Sequence, residues 1–393
     1  MKQKILIILD ISFTERDYKR FGIDILKKKF DVFVFDFTKN FIKKTATHKY
    51  FQNPYKFSGY YDIKNISTFV ELLDKHKFSN CIDYVSNKPL QHKLIDILKI
   101  NKIPIIKIQH GLFVEPGDLR TFIQKFHILI LKFTNKKMFL VFIKNQIINL
   151  RKRFIRKVPN IFYDKVIVTG KVGLKRPAIS LNTEVIYAHT YDYDNYLDIK
   201  KIPKSGIKKP YAVFIDQYLP LHPDATIYFG VSPRVTVEKY YPALNDFFNI
   251  FEKEYNMNII VSAHPKSDYE SNPKFLYGRK FVRNKTISLI RDCEVVFSHC
   301  SAAISYAILL KKPIIFLLSN EYIKSFDNYT PAVLAKKLNS LYFNIDDKNN
   351  NSKIKNINLF KVDNKKYKIY KDDYISIHLL LIKNSGKYLM KKS

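Results

Sequence analysis

The stretch KILIILD, residues 4–10, decides how the rest of the chain is read. It is short, apolar on every residue from Ile5 to Leu9, and stopped by an aspartate, as a strand buried on both faces would be. A helix-like periodic run follows near FGIDILKKK (21–29), and a second strand-like run at DVFVFDF (31–37). The pattern then repeats: a helix near STFVELLDKH (67–76), CIDYVS (81–86), the helix LQHKLIDILKI (90–100) and IPIIKIQHG (103–111). Short apolar strands alternating with amphipathic helices predict an α/β fold with parallel strands joined by crossover helices.

The rhythm breaks between about 120 and 160. There FIQKFHILILKFTNKKMFLVFIKNQIINLRKRFIRK mixes Phe, Ile and Leu with many Lys and Arg and almost no acid. Two readings stay open for this basic amphipathic insertion: a segment lying on an anionic membrane surface, or a buried helical hairpin with basic outer faces. Strand character returns at DKVIVTGKVG (164–173) and TEVIYAH (183–189). The charged, Pro- and Gly-punctuated DIKKIPKSGIKKP (198–210) reads as a link between halves. Beyond it the alternation resumes with YAVFIDQ, the long helix VEKYYPALNDFFNIFEKEY, NIIVSAHP, TISLIRD, EVVFSHCS, AAISYAILL and PIIFLLS. Two successive α/β domains follow, one over 1–200 and one over 208–375, with a closing segment at 376–393.

At 393 residues, 46% hydrophobic, the chain is long enough for two domains with cores of their own. Sixty-eight Lys and Arg against 35 Asp and Glu leave a formal charge of +33, which favours an anionic partner or reflects a Lys-rich composition whose side chains are simply solvated. Nucleic acid is the weaker candidate for that partner: the aromatics fall mostly inside apolar runs and no familiar binding motif occurs. Three cysteines, Cys81, Cys293 and Cys300, with no CxxC pair point to a reducing, cytoplasmic setting. The opening MKQKILIILDIS, interrupted by Asp10, reads as a strand rather than an export signal. No GxGxxG follows the first strand, and no GxxxxGK[ST], HExxH or GxSxG occurs, so dehydrogenase, P-loop, zinc-peptidase and hydrolase chemistries have no anchor.

Polar groups gather at the carboxyl ends of the strands, where open α/β sheets bind ligands. Gln109, His110 and Gly111 close the IPIIKI strand. His264, Pro265 and Lys266 close NIIVSA, and Ser298, His299, Cys300 and Ser301 close EVVF and open a helix through Ala302 and Ala303. Small hydroxyl residues at a helix start offer hydroxyl and N–H donors to a phosphate, and also serve as ordinary caps. FIDQYLPLHPD (214–224) adds Asp216, Gln217, His222 and Asp224 just after a strand, where a carboxylate suits a general base or a nucleophile, or equally an Asx turn. Asp192 and Asp194 stand in a DxD spacing that elsewhere holds a divalent metal on a diphosphate.

Taken in order, QHG, DQYLPLHPD, AHPK and SHCSAA resemble bacterial capsule and lipopolysaccharide glycosyltransferases of the GT-B fold, those using CMP-activated acidic sugars such as Kdo, sialic and other nonulosonic acids. The resemblance implies a GT-B-like pair of Rossmann-like domains around a cleft and a metal-independent transferase without a cofactor. It implies a CMP-sugar donor held by the C-terminal domain at His264, Pro265, Lys266, Ser298, His299, Ser301 and Ala302. It places His110 and Gly111, with Gln109, Glu115, His222 and Asp192, around the reacting sugar or acceptor, and matches Asp216 to a nucleophilic aspartate, so that Asp216, His110 and His264 form the catalytic set. The acceptor would be a surface polysaccharide or a lipid-linked oligosaccharide, met at the inner face of the cytoplasmic membrane, with no nucleic-acid partner. The same histidine and serine motifs are shared more loosely with CDP-glycerol and CDP-ribitol polymerases, the alternative reading.

Overall fold

A computed structural model of the chain describes residues 2–41, 51, 53–109, 161–175, 180–208, 210–228, 230, 232–324, 330–355 and 357–376. Its strands form two sheets. The first contains β1 (Gln3–Leu9), β2 (Phe30–Asp36), β3 (Tyr60–Asp62), β4 (Asn80–Tyr84), β5 (Ile105–Gln109), β6 (Lys165–Thr169) and β7 (Glu184–Ala188) in the spatial order β3-β2-β1-β4-β5-β6-β7. The second contains β8 (Tyr211–Ile215), β9 (Asn258–Ala263), β10 (Phe281–Arg283), β11 (Val295–Ser298), β12 (Ile314–Leu318) and β13 (Leu341–Asn344) in the order β10-β9-β8-β11-β12-β13. Every pairing between these strands is parallel, with Ile5 beside both Val32 and Asn80, and Val213 beside both Ile260 and Val296. Each half therefore repeats the 3-2-1-4-5-6 doubly wound order, and the α/β, two-Rossmann reading of the sequence is the architecture found.

Continuous apolar strands are explained by cover on both faces. In the second sheet Phe214, Val261, Phe297 and Leu317 pack against the long helix Val237–Tyr255, which buries Tyr240, Leu244, Phe247, Phe248 and Phe251 along one side. The alternate residues Val213, Ile215, Ile260, Val296 and Phe316 face the helices Ile304–Leu309 and Thr330–Leu338. Leu6, Ile8 and Phe35 against Ile5, Ile7 and Val34 divide the first sheet the same way.

The stretch read as a link is pinned to the second half. The Arg291 guanidinium donates to the carbonyls of Ile199, Ile202 and Pro203, and the Ser205 N–H donates to Asp292 at 2.7 Å. The helix Tyr191–Leu197 before it already reaches across, with Asn195 Nδ2 donating to the Tyr306 hydroxyl at 2.8 Å. The chain then comes back: the Thr190 N–H donates to the Ile375 carbonyl at 2.9 Å, and His189 pairs with Ser376. Gly170 makes room for that return. Its φ is +68°, and a Cβ there would stand 2.2 Å from the Asp373 carbonyl oxygen.

Candidate functional site

In each sheet the strand order reverses beside the first strand, between β1 and β4 and between β8 and β11, and the crevice outside those carboxyl ends is the expected ligand position. A side chain leaving the first strand fastens each crevice. Asp10, fully buried one residue past β1, accepts the Ser86 N–H at 2.9 Å on one oxygen and the Asn87 N–H at 2.6 Å on the other. Gln217, two residues past β8, accepts the Cys300 N–H at 2.8 Å. Neither Asp10 nor Tyr228, which comes near the Asp10 carboxylate from the second half, stood out in the sequence as a site residue. Asp10 carries the same signal as Asp216, an acid that ends an apolar strand.

The densest cluster lies at the end of β9. His264 and His222 pack against each other with ring centroids 4.5 Å apart and planes tilted by 55°. Lys266 Nζ lies 2.6 Å from both carboxylate oxygens of Asp224 and 5.8 Å from the Phe51 ring centre of the first half. Burial pushes the His264 imidazole down to about 3, helped by the neighbouring His222 ring and by the positive charges of Lys266, Arg16 and Arg283. Burial also lowers His222, and it lowers Lys266 against the opposing pull of Asp224. Arg16, from the helix Glu15–Arg20 of the first half, adds positive charge that acts on His264 and Lys266, opposed at Lys266 by Asp224 and Asp17. Pro265, between His264 and Lys266 in the chain, is exposed.

Asp216 stands behind this wall at 3% exposure. One carboxylate oxygen accepts the Tyr218 N–H at 2.8 Å; the other accepts the His264 N–H at 3.3 Å and the Tyr269 hydroxyl at 3.0 Å. Burial raises its proton affinity. A carboxylate with both oxygens occupied and almost no exposed surface is built to hold the backbone on which His264 stands, not to attack a sugar, and this corrects the expected nucleophile.

His299 is corrected more sharply. It is fully buried; its Nδ1–H donates to the Leu317 carbonyl at 2.8 Å and its Nε2 accepts the Tyr240 hydroxyl at 2.8 Å. Both ring nitrogens are spent on the core, burial lowers the ring to about 4, and none of it is left for a phosphate. Ser298 is likewise inside, its hydroxyl accepting the Ser301 N–H at 3.4 Å. The helix begins at Ile304 rather than Ala302, leaving Ser301, whose hydroxyl accepts the Ala303 N–H, and the exposed Ala302 at the surface of the crevice.

The DxD aspartates part company. Asp194 meets His189 Nε2 at 2.8 Å, while Asp192 lies near Tyr306, Ser305, Arg16 and Arg20, with its proton affinity raised by burial. Among the described residues no group of three or more His, Cys, Asp and Glu is arranged to hold a metal ion. Gln109 ends β5 with its side-chain Oε1 buried and without a hydrogen-bond partner among the described residues. His110, Gly111 and Glu115 lie outside the described residues, as does the 120–160 insertion.

No family model and no curated protein matches the chain. Among solved structures it is similar to the UDP-GlcNAc 2-epimerase from Methanocaldococcus jannaschii, at 13% identity and TM-score 0.49 over 99% of each chain. It is similar to MurG of Acinetobacter baumannii, at 8% identity and TM-score 0.44 over 95% of this chain and 96% of that one. It is also similar to HepE of Anabaena in complex with UDP, at 14% identity and TM-score 0.46 over 99% of each chain. Likeness this distant transfers no chemistry, and what the cleft does is read from its own side chains.

Proposed function

We propose that the chain is a glycosyltransferase that moves an acidic sugar, Kdo or a nonulosonic acid, from a CMP-sugar donor to a surface-polysaccharide or lipid-linked acceptor. The observation that carries this reading is the His222–His264 ring pair, centroids 4.5 Å apart, beside Lys266 and within the electrostatic reach of Arg16 from the other half. Two imidazoles, the Asp224-paired Lys266 and the added charge of Arg16 at the carboxyl end of a Rossmann sheet suit a phosphate whose negative charge grows as the glycosidic bond breaks. Asp216 sets the position of His264 through the backbone N–H. Ser301 and Ala302 offer the opposite lip of the same crevice, and the Asp10 side of the first half is left for the acceptor. The motif set read in the sequence supports cytidine as the base, and no protein group for a metal is required.

The experiment is thermal unfolding of the wild type and of His264→Ala with millimolar CMP, CDP, UDP, GDP and ADP, with and without EDTA. A ligand that binds only the folded state at about 100 times its dissociation constant adds roughly 2.7 kcal/mol. A CMP-selective shift, insensitive to EDTA and lost in His264→Ala, is expected. Preference for UDP would overturn the donor assignment; no shift with any nucleotide would overturn the transferase reading itself. CDP-glycerol and CDP-ribitol, run as donors beside CMP-Kdo and CMP-nonulosonates, separate the polyol-phosphate alternative.

A further inference from the structure

The two paired histidines, tilted by 55° to each other, are held in the same way. Nδ1 of His222 accepts the backbone N–H of Asp224 at 3.2 Å, and Nδ1 of His264 accepts that of Lys266 at 3.1 Å. A ring nitrogen that accepts a hydrogen bond carries no proton, so each neutral ring has its proton on Nε2. Among the described residues no other residue takes the proton of either Nε2, and neither nitrogen is sealed from solvent.

We propose that His222 and His264 act as a matched pair of permanently neutral Nε2–H donors, a two-pronged cradle for one phosphate group, with His222 as its second binding residue. The inference rests on reading the cleft as a nucleotide-phosphate site. A second proton would have to enter at Nδ1, where a backbone N–H already points, and would turn an attractive contact into two opposed donors. The surroundings resist it as well. His264 faces His222, Lys266, Arg16 and Arg283, all of which disfavour a cation, and the Asp216 carboxylate beside it is committed to the His264 backbone N–H, Tyr218 and Tyr269. His222 faces Lys266, which opposes a positive ring, and Asp224, which favours one but is held by Lys266 at 2.6 Å. Burial acts in the same direction on both rings. The pair therefore neither gives a proton to the leaving phosphate nor takes one from the acceptor. It stabilises charge by fixed dipoles, and formal positive charge comes from Arg16 and from Lys266, which is paired with Asp224.

The test is long-range proton–nitrogen NMR on protein labelled with nitrogen-15 histidine, from pH 5 to pH 8, alone and saturated with CMP, with the two rings assigned through His222→Gln and His264→Gln. One unprotonated Nδ1 and one Nε2–H per ring are expected throughout, in both states. A ring that gains a second proton in that range, or on adding CMP, overturns the neutral pair. His222→Ala is expected to weaken CMP binding about ten- to hundredfold, the range for losing a hydrogen bond to a charged group, whereas His222→Gln, which keeps an N–H near the same place, retains most of the affinity. Unchanged affinity in His222→Ala overturns the second prong. Should CMP fail to bind the wild type, the transferase reading falls, while the pH series on the free protein still decides whether the rings are neutral.

Discussion

Asp216 separates two uses of a carboxylate. Its oxygens take three protein donors, so Asp216→Asn turns one acceptor into an NH2 group facing a donor. Leaving such a group unsatisfied in the interior costs about 1–3 kcal/mol. The expected outcome is a lower urea midpoint together with weaker CMP binding, because the segment carrying His264 loses its anchor. A nucleophile would behave differently, losing turnover with midpoint and CMP affinity intact, and that pattern would reinstate the residue as the attacking group. Asp216 and His264 were legible because each halts an apolar run. The identical signal at Asp10 was seen only as a break in a hydrophobic stretch. His299 misled for a physical reason: side chains alternate faces along a strand, so a polar residue at its end lands in the crevice or in the core according to a one-residue offset that composition does not encode.

At the scale of the element, the turn between β11 and the helix Ile304–Leu309 is held by one side chain from another strand end, Gln217. Its Oε1 accepts the Cys300 N–H at 2.8 Å, and the Cys300 thiol in turn contacts the Tyr322 hydroxyl at 2.9 Å. Cys81 and Cys293 are buried, whereas Cys300 is partly accessible, which makes it a reporter of this turn. Gln217→Ala is expected to raise the rate at which a thiol reagent modifies Cys300 in the folded protein, with the other two cysteines still protected. An unchanged rate would mean that Tyr322 and the backbone hold the turn alone. Strands and crossovers were readable because burial on both faces forces continuous apolar runs. The helix start was not: SHCSAA has good capping residues at several positions, yet the helix begins at Ile304 behind Ala303 with no side-chain cap at all.

At the scale of the whole molecule, the two-halved plan follows from the repeated rhythm, but the crossings between halves do not. Tyr191–Leu197 precedes the charged link in sequence yet packs through Asn195 on Tyr306, and residues 371–376 return to Gly170 and Thr190, contacts of long range that local pattern cannot announce. The charge of +33 is likewise a property of the whole chain, and its densest apolar-basic stretch, 122–157, contains no Asp or Glu. We propose that this stretch brings the protein to the inner face of the cytoplasmic membrane, where a lipid-linked acceptor would be met. Each basic side chain near an anionic surface contributes about 1 kcal/mol, and the attraction fades as salt shortens the screening length to roughly 3 Å at 1 M. The protein is therefore expected to float with vesicles containing phosphatidylglycerol at low salt, to stay down with purely zwitterionic vesicles, and to be released from the anionic ones as salt rises. Arg151→Glu, Lys152→Glu and Arg153→Glu together should abolish flotation while leaving the CMP thermal shift in place, since these residues lie outside the cleft-forming motifs. Failure of the wild type to float on anionic vesicles at low salt would remove the membrane from the proposal and leave the basic stretch to solvation, with the nucleotide cleft unaffected.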